Sequence, residues 1–515
     1  MDADHPVSVS RREFVATAAS LAAAALVGCA PKTDRRIEGG FADDGGARGH
    51  GLRDRARLPA PRRTVRVPVV IVGGGIAGLS AAWRLAGRGF EDFVVLEMED
   101  QAGGNARWGE NEVSAYPWAA HYVPLPGRET VLVRELFADL GVFRDGAWDE
   151  TALVFAPKER LFRWGEWREG LREPLADTPA ERDELRRFDL RMAELRAMGE
   201  FTLPMALGAK PSPLDGVSMA RWLEAEGFRS PALRWYVDYA CRDDYGALAA
   251  DTSAWAGIHY FAARPPEDDE RGPLAWPEGN GWIVRRLLER LGRFVATGAP
   301  VHRVEPRGTG ARVLAGDAEY LCDAVVWAAP SFLAPYVVEG APRPDFVYSP
   351  WVTANLTLDR RPRERGAEPA WDNVIADSPG LGYVVANHQS LRTFQDRWVW
   401  TYYRALAHEA PAAARQALLR RSWTEWVELI LADLERAHPD LRRCVRRVDV
   451  MRMGHAMVRP APGFLSSPAR RLLRGAAGPV FYAHSDLSGL SLFEEAQHRG
   501  VTAAERALAR VGSGG

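Results

Sequence analysis

Lysine is almost missing from this chain: of 66 Lys and Arg in 515 residues, only Lys32, Lys158 and Lys210 are lysines. Chemistry that relies on a lysine amine therefore has no candidate beyond Lys210, while the arginine excess reads as compositional bias and carries no function. Cysteine is nearly as scarce. Cys29, Cys241, Cys322 and Cys444 form no C-x-x-C pair and have no histidine at metal-ligand spacing, so neither a zinc site nor a disulfide framework is indicated. Charge imbalance is absent too: the formal net charge of −2 gives none of the concentrated positive surface that a nucleic-acid partner requires. The apolar stretch Val15 to Val27 stops at thirteen residues, short of the roughly twenty that a membrane-spanning helix needs. With 47% hydrophobic and 26% charged residues, the chain is neither disordered nor fibrous. At roughly 150 residues per domain its length corresponds to two to four domains.

What is present begins with a leader. Arg11 and Arg12 precede the short apolar stretch, the layout of a signal peptide. The arginine pair resembles a twin-arginine signal, which serves proteins exported already folded. Leu26-Val27-Gly28-Cys29 resembles the lipobox of bacterial lipoproteins, in which the cysteine is lipidated and becomes the new N-terminus. These resemblances imply the twin-arginine export machinery as a partner, a lipid anchor at Cys29, and a periplasmic or other extracytoplasmic location at the membrane. Residues 1–28 are expected to be the signal. Residues 29–64, rich in Gly, Arg, Asp and Pro, are expected to be a flexible tether, because so few apolar side chains cannot offset the entropy of ordering.

A phosphate-binding unit follows. Val69 to Val72 reads as a strand buried on both faces and leads into G-G-G-I-A-G, in which Gly73, Gly75 and Gly78 fit G-x-G-x-x-G; helical spacing then continues from Ile76 to Arg88. The first glycine permits the tight turn, the second lets a pyrophosphate approach the backbone, and the third lets helix pack on strand. The helix N-terminus, with Ile76 and Ala77, faces the negative charge. A second apolar strand, Phe93 to Leu96, ends in Glu97, 24 positions after Gly73, where a carboxylate can accept from both ribose hydroxyls of an adenosine. Strand, glycines, helix, strand and acid in that order predict a bound dinucleotide.

Beyond Glu97 the chain reads M-E-D-Q-A-G-G-N-A-R, and the Gly103-Gly104 pair followed by Arg107 resembles the second glycine-rich segment of the flavin-containing amine oxidase and phytoene desaturase superfamily. In that family this loop runs along the flavin's pyrophosphate and ribityl chain, which implies FAD. Three more stretches are similar: W-P-E-G-N-G-W-I-V-R-R from Trp276, with the strand V-H-R-V-E from Val301 whose backbone would touch adenine; D-A-V-V-W-A-A-P from Asp323; and V-F-Y-A-H-S-D from Val480 with E-A-Q-H-R-G-V-T-A-A from Glu495. Asp486 would bond to a ribityl or phosphate-side group of FAD, and Gly500 would be the small residue of the last helix. Two positions depart from the pattern, since His484 and Glu495 stand where the family has glycine.

Many amine oxidases of this family hold a water near the flavin with a lysine on a strand resembling W-V-T-A-N-L-T-L, and the matching position here is Asn355. That water site is either absent or rebuilt around Asn355. No cysteine lies in the C-terminal flavin segment, so FAD is expected to be noncovalent. Aromatics crowd the middle of the chain, and Tyr236 to Tyr245 joins Asp238, Asp243 and Asp244 to tyrosines, a combination able to hold a cationic amine. His121, His388, His455 and His484 are the histidines available for acid–base work.

The fold expected is α/β: a discontinuous FAD-binding, Rossmann-like domain (65–150, 275–345 and 455–515), with a parallel sheet and the glycine-rich βαβ unit, and an interleaved α+β substrate domain (151–274 and 346–454). The expected function is an exported oxidoreductase in which an organic substrate, amines among the candidates, gives a hydride to FAD, and oxygen or another electron acceptor reoxidises it. The residues put forward are Gly73, Gly75, Ile76, Ala77, Gly78, Glu97, Gly103, Gly104, Arg107, Val301 and Asp486 for FAD, Asn355 and His484 for catalysis, Cys29 for lipidation, and none for a metal. Three alternatives stay open: a carotenoid or phytoene-type desaturase, which suits the missing lysine; a noncatalytic flavin-binding protein; and an NAD(P)-dependent enzyme, which leaves the C-terminal segment without a task.

Overall fold

The computed structural model describes residues 36–42, 45–53, 60–205, 212–264, 271–391, 394–475 and 478–512. The chain divides into residues 1–38 and a body of residues 39–515; the arginine pair, Cys29, Lys32 and Lys210 lie outside the described residues. No helix among the described residues is long and apolar enough to cross a membrane.

Four apolar residues in a row form a strand that must be covered on both sides, and Val69–Val72 is buried along its whole length at the centre of a five-stranded parallel sheet. Phe93–Leu96 and then Val295–Ala296 lie on one flank, and Ala324–Trp327 and then Val480–Tyr482 on the other. The connections diverge from the central strand to either flank, which opens a crevice at the carboxyl ends of the strands. A meander of Val301–Arg307, Gly310–Ala315 and Ala318–Cys322, joined by Arg63–Arg66, makes a second, four-stranded layer.

The helix Ile76–Gly87 is poor in bulky residues on the face that meets the C-terminal helix Phe493–Gly512, where Ala77, Gly78, Ala81 and Ala82 are buried. The approach is so close that a Cβ on Gly500 would overlap the Ala77 carbonyl oxygen. Chain segments more than four hundred positions apart are thereby locked together at the start of the nucleotide-loop helix.

The segments expected to make the substrate domain supply most of an eight-stranded sheet, in the order Glu38–Phe41, Val445–Arg459, Val347–Leu358, Trp398–Ala405, Gly382–Val385, Asp372–Ile375, Glu159–Arg163 and Glu166–Glu169. The strand Val445–Arg459 crosses the expected boundary at 455 without a break. Helices Pro231–Tyr245 and Ala254–Ala262 each begin with a serine cap, Ser230 accepting from Leu233 N–H and Ser253 from Ala256 N–H. One face of this sheet and the helix Pro231–Tyr245 enclose an apolar cluster that includes Tyr239, Trp371, Val374 and Tyr403.

The expected tether does not hold for its described part. Gly39, at φ +129°, fits closely against the Val448 carbonyl, and Ala42 N–H donates to Val450 O at 2.9 Å, so this segment extends the sheet. The following helix, Gly45–Arg53, buries Leu52 and pairs Arg48 with Asp100 at 2.7 Å. Composition misleads here because strand addition is held by backbone hydrogen bonds, which need no apolar side chains.

Gly500→Val is expected to lower the melting temperature and reduce the flavin retained on purification. Overpacking of this kind costs about 1–3 kcal/mol, and thermal denaturation together with the flavin-to-protein absorbance ratio measures both effects.

Candidate active site

The nucleotide-loop helix begins without a side-chain cap: Gly75 occupies the N-cap, and no acidic residue sits in the first turn. Its leading N–H groups, those of Ile76 and Ala77 among them, point from a positive helix end into the crevice, an arrangement that favours an anion. A Cβ on Gly75 would meet nothing closer than 3.9 Å, so space for a phosphate is open beside it. A Cβ on Gly78, by contrast, would overlap the Gly73 carbonyl, and Gly73 itself turns at φ +102°. The three glycines therefore serve different ends, one for the turn, one for ligand approach and one for helix-on-strand packing.

Glu97 follows the strand Phe93–Leu96 at the same crevice. Its carboxylate, 8% exposed, accepts from Gly74 N–H at 2.6 Å and from Glu99 N–H at 2.8 Å. Burial pushes its pKa above the usual carboxylate range, and the two backbone hydrogen bonds hold it partly down. Two carboxylate oxygens with about four acceptor positions leave lone pairs for ribose hydroxyls. Ala299 N–H donates to Glu97 O at 2.8 Å, which brings the start of the strand Val301–Arg307 to the same corner. Gly103 N–H donates to Gly74 O at 2.8 Å, and Gly104 at φ +58° continues into the turn that Arg107 Nε closes on Gly104 O at 3.2 Å. Gly73 to Gly78, Glu97, Gly103 to Arg107 and Val301 are thus gathered at one crevice.

Asp486 is buried and accepts from Ser331 N–H at 2.9 Å and Tyr348 O–H at 2.7 Å. Burial raises its pKa, but the neighbouring His484 and these hydrogen bonds outweigh it, and the net shift is downward. His484 Nδ1 lies 3.2 Å from Asp486 N and 3.0 Å from Asp486 Oδ1. A neutral ring accepts from the amide and a protonated one donates to the carboxylate, so His484 positions Asp486 in either state. Ser331 and Tyr348 carry no motif, and only the fold brings them to this acid. Glu495, the other departure from glycine, is fully buried, accepting from Met205 N–H and pairing with Arg499 at 2.8 Å.

Beside the crevice lies an aromatic cavity. Trp118 N–H donates to Arg107 O at 3.1 Å and Ala120 N–H to Asn105 O at 2.9 Å, so the second glycine loop leads directly into its wall. There His121 stacks on Tyr403 with centroids 4.5 Å apart, and Tyr122 meets Trp371 edge-on at 5.9 Å. On the opposite wall Arg264 pairs with Glu494 in the first turn of the C-terminal helix at 2.9 Å. Asp243, Asp372, Tyr122 and Tyr260 keep partial accessibility although protein surrounds them, as side chains facing an internal space do.

Of the three expected carboxylates, Asp238 turns away, pairing with Arg242 at 3.3 Å and accepting from Ala249 N–H at 2.9 Å. Asp243 and Asp244 belong to the cavity, where burial pushes their pKa values up to about 6 and about 8. Asp372, at the start of a strand, joins them without any signal in the sequence. Asn355 is held on both sides, donating to Pro117 O at 3.0 Å and accepting from Thr401 O–H at 2.7 Å, so its amide locks strands together. Burial holds His121 and His455 near pKa 4; His121 Nδ1 lies 3.3 Å from Ala119 O, and His455 stacks on Phe332. His388 bonds to Phe155 O at 2.8 Å, outside this space. Cys241, Cys322 and Cys444 are free and buried.

A dinucleotide crevice in a parallel sheet, closed by a C-terminal helix and set beside an enclosed cavity, defines a flavin-dependent oxidoreductase. Residues 76–508 match the family described as flavin containing amine oxidoreductase, and the chain belongs to that family. Among curated proteins it is similar to the chloroplastic/chromoplastic 15-cis-phytoene desaturase of Solanum lycopersicum, 29% identical over 177 residues covering 33% of this chain and 29% of that protein. It is also similar to an L-amino-acid oxidase of Trimeresurus stejnegeri, 40% identical over 88 residues covering 16% of each. The chain thus spans less than a third of the length of these relatives. Among solved structures, putrescine oxidase bound to putrescine has a TM-score of 0.64 at 19% identity, over 87% of this chain and 100% of that one. Cyclohexylamine oxidase from Brevibacterium oxydans gives 0.64 at 16%, over 87% and 99%. These structures share the FAD-binding fold.

Glu97→Gln is expected to weaken flavin binding roughly tenfold, because one buried N–H loses its charged acceptor. Fluorescence titration of the flavin-free protein with FAD measures the change.

Proposed function

We propose that this protein is an exported, lipid-anchored flavoprotein that binds FAD noncovalently and oxidises an organic amine. One observation carries the substrate reading: aromatic side chains next to the second glycine loop surround Asp243 and Asp372, neither of which has an Arg, Lys or His within ion-pair distance among the described residues, Arg242 acting on Asp243 only from farther away. Tyrosine and tryptophan faces with carboxylates suit a cation, and a closed space excludes the water that would otherwise solvate it. FAD, when bound, supplies the hydride acceptor. The chain's own contribution is to bind the ammonium end, to orient the reacting carbon toward the crevice, and to exclude water. Asn355, engaged with Pro117 and Thr401, leaves the usual lysine-held water without a counterpart.

Export rests on Arg11, Arg12 and the short apolar stretch, and anchoring on Cys29. Oxygen or another electron acceptor would complete turnover. A second reading, desaturation of a polyene, is favoured by the phytoene desaturase relatives and the missing lysine, and an apolar rather than cationic substrate distinguishes it.

Anaerobic mixing of the FAD-loaded protein with amines is expected to bleach the flavin spectrum, and bleaching by polyenes alone would select the desaturase reading. Since Asp243 attracts a cation only when ionised, and burial lifts it to about 6, KM for an amine should rise as pH falls through about 6. Steady-state rates across that range check the sign. Arg11→Lys with Arg12→Lys should retain the protein in the cytoplasm, and Cys29→Ala should release it from the membrane fraction, as cell fractionation would show.

A further inference from the structure

The sheet that walls the aromatic cavity has a second face, and alternation along its strands separates the two. Asp372, Val384 and Thr401 stand in register on the cavity side. Arg160, Asn373 and Tyr383 stand in register on the far side, with Val385 opposite Trp400 beside them. There a pocket of about 440 Å³, half open to solvent, lies between these strands and the segment bearing Arg361, Glu364 and Glu368. Its size falls in the range of small-molecule sites, about 300–1,000 Å³. It shares no lining residue with the FAD crevice or the aromatic cavity.

The wall of this pocket is fixed by its own contacts. Arg160, 1% exposed, donates from Nε to Asn373 Oδ1 at 2.6 Å, from Nη1 to Ala367 O at 2.9 Å and from Nη2 to Glu364 Oε2 at 2.6 Å. Its guanidinium lies 4.0 Å from the Trp167 ring centroid. Tyr383 stacks on Trp400 with centroids 4.1 Å apart, and its hydroxyl bonds to His438 Nε2 at 2.9 Å. Asn387 ties its loop to the strand on both sides of Trp398, donating to Arg397 O at 3.0 Å and accepting from Val399 N–H at 3.1 Å.

Charge in the wall cancels, because Arg160 and Arg361 stand against Glu364 and Glu368. Glu364 takes Arg160 on one oxygen and Arg361 on the other at 3.3 Å, and Arg361 also lies 4.0 Å from Glu368. His388 Nε2 donates to Phe155 O at 2.8 Å, and burial lowers its pKa, so the ring is neutral and Nδ1 is left as an acceptor. No partner among the described residues takes the indole N–H of Trp398 or Trp400, or the amide of Gln395. A net cation or anion gains little from balanced charge, and an apolar ligand would cover these N–H groups and the amide unpaired. Hydroxyl groups both donate and accept, and the C–H faces of a sugar ring suit indole surfaces, whose π-faces are negative.

We propose that the far face of this sheet carries a binding site for a neutral saccharide. Trp398 and Trp400 supply the surface against which a pyranose ring lies, Gln395 and His388 Nδ1 meet its hydroxyls, and Arg361 with Glu368 forms the open rim. The site stands whether or not the oxidised substrate is an amine, since it lies across the sheet from the aromatic cavity and binding there moves no electrons.

The test is saturation-transfer NMR and calorimetric titration of the FAD-loaded full chain with glucose, N-acetylglucosamine and cellobiose, with benzoate and tetramethylammonium as charged probes. At least one sugar is expected to bind with a Kd of about 1 mM or tighter. Trp398→Ala and Gln395→Ala should each weaken that sugar about tenfold, through loss of ring contact and of a hydrogen bond respectively. Trp398→Phe, which keeps an aromatic face, should retain most of the affinity. Flavin absorbance and thermal denaturation show that the variants load and fold. Weakening by either alanine variant upholds the site. Binding of none of the sugars, sugar affinity unchanged in both alanine variants, or saturation by a charged probe alone overturns it.

Discussion

The contact on which the molecule depends is the close approach of Gly500 to the Ala77 carbonyl. It sets the C-terminal helix against the first turn of the nucleotide-loop helix and so fixes two things at once. One is the direction of the uncapped N-terminus that faces the crevice; the other is the position of Glu494, which pairs with Arg264. The aromatic region and the crevice share this joint. Small residues at the joint convert a helix crossing into a registration device, because the backbones touch and neither helix can slide without overlap.

Much of the crevice was legible in the chain because its requirements are local. A four-residue apolar strand, three glycines with different duties and an acid at the end of the next strand follow one another within a short span, and each is forced by sterics or hydrogen bonding. The cavity was legible only in part. The helix bearing Asp238, Asp243 and Asp244 is visible as a pattern of tyrosines and carboxylates, yet which carboxylate faces inward depends on helix rotation, and Asp238 turned to Arg242 instead. Asp372 carries no local mark at all. Its position beside the tyrosines of the helix arises only because the strand Asp372–Ile375 pairs beside Glu159–Arg163, a non-local consequence of sheet order.

The two departures from glycine near the flavin segment show how a tight site absorbs larger residues. His484 turns its ring onto Asp486, and Glu495 is drawn to Met205 N–H and Arg499, so each side chain gains partners in its own neighbourhood. Asn355 shows the reverse: a polar residue where the family has a reactive one becomes a brace between the strand Val347–Leu358 and its surroundings. A residue's place in a family pattern thus predicts its position better than its chemistry.

The segment Gly39 to Ala42 pairs with the part of the long strand Val445–Arg459 around Val448 and Val450. An uncovered fifteen-residue strand would present a row of unpaired N–H and C=O groups, a template on which other chains can add. The N-terminal segment therefore pairs part of that edge as well as connecting to it, and removing it would expose the backbone groups around Val448 and Val450.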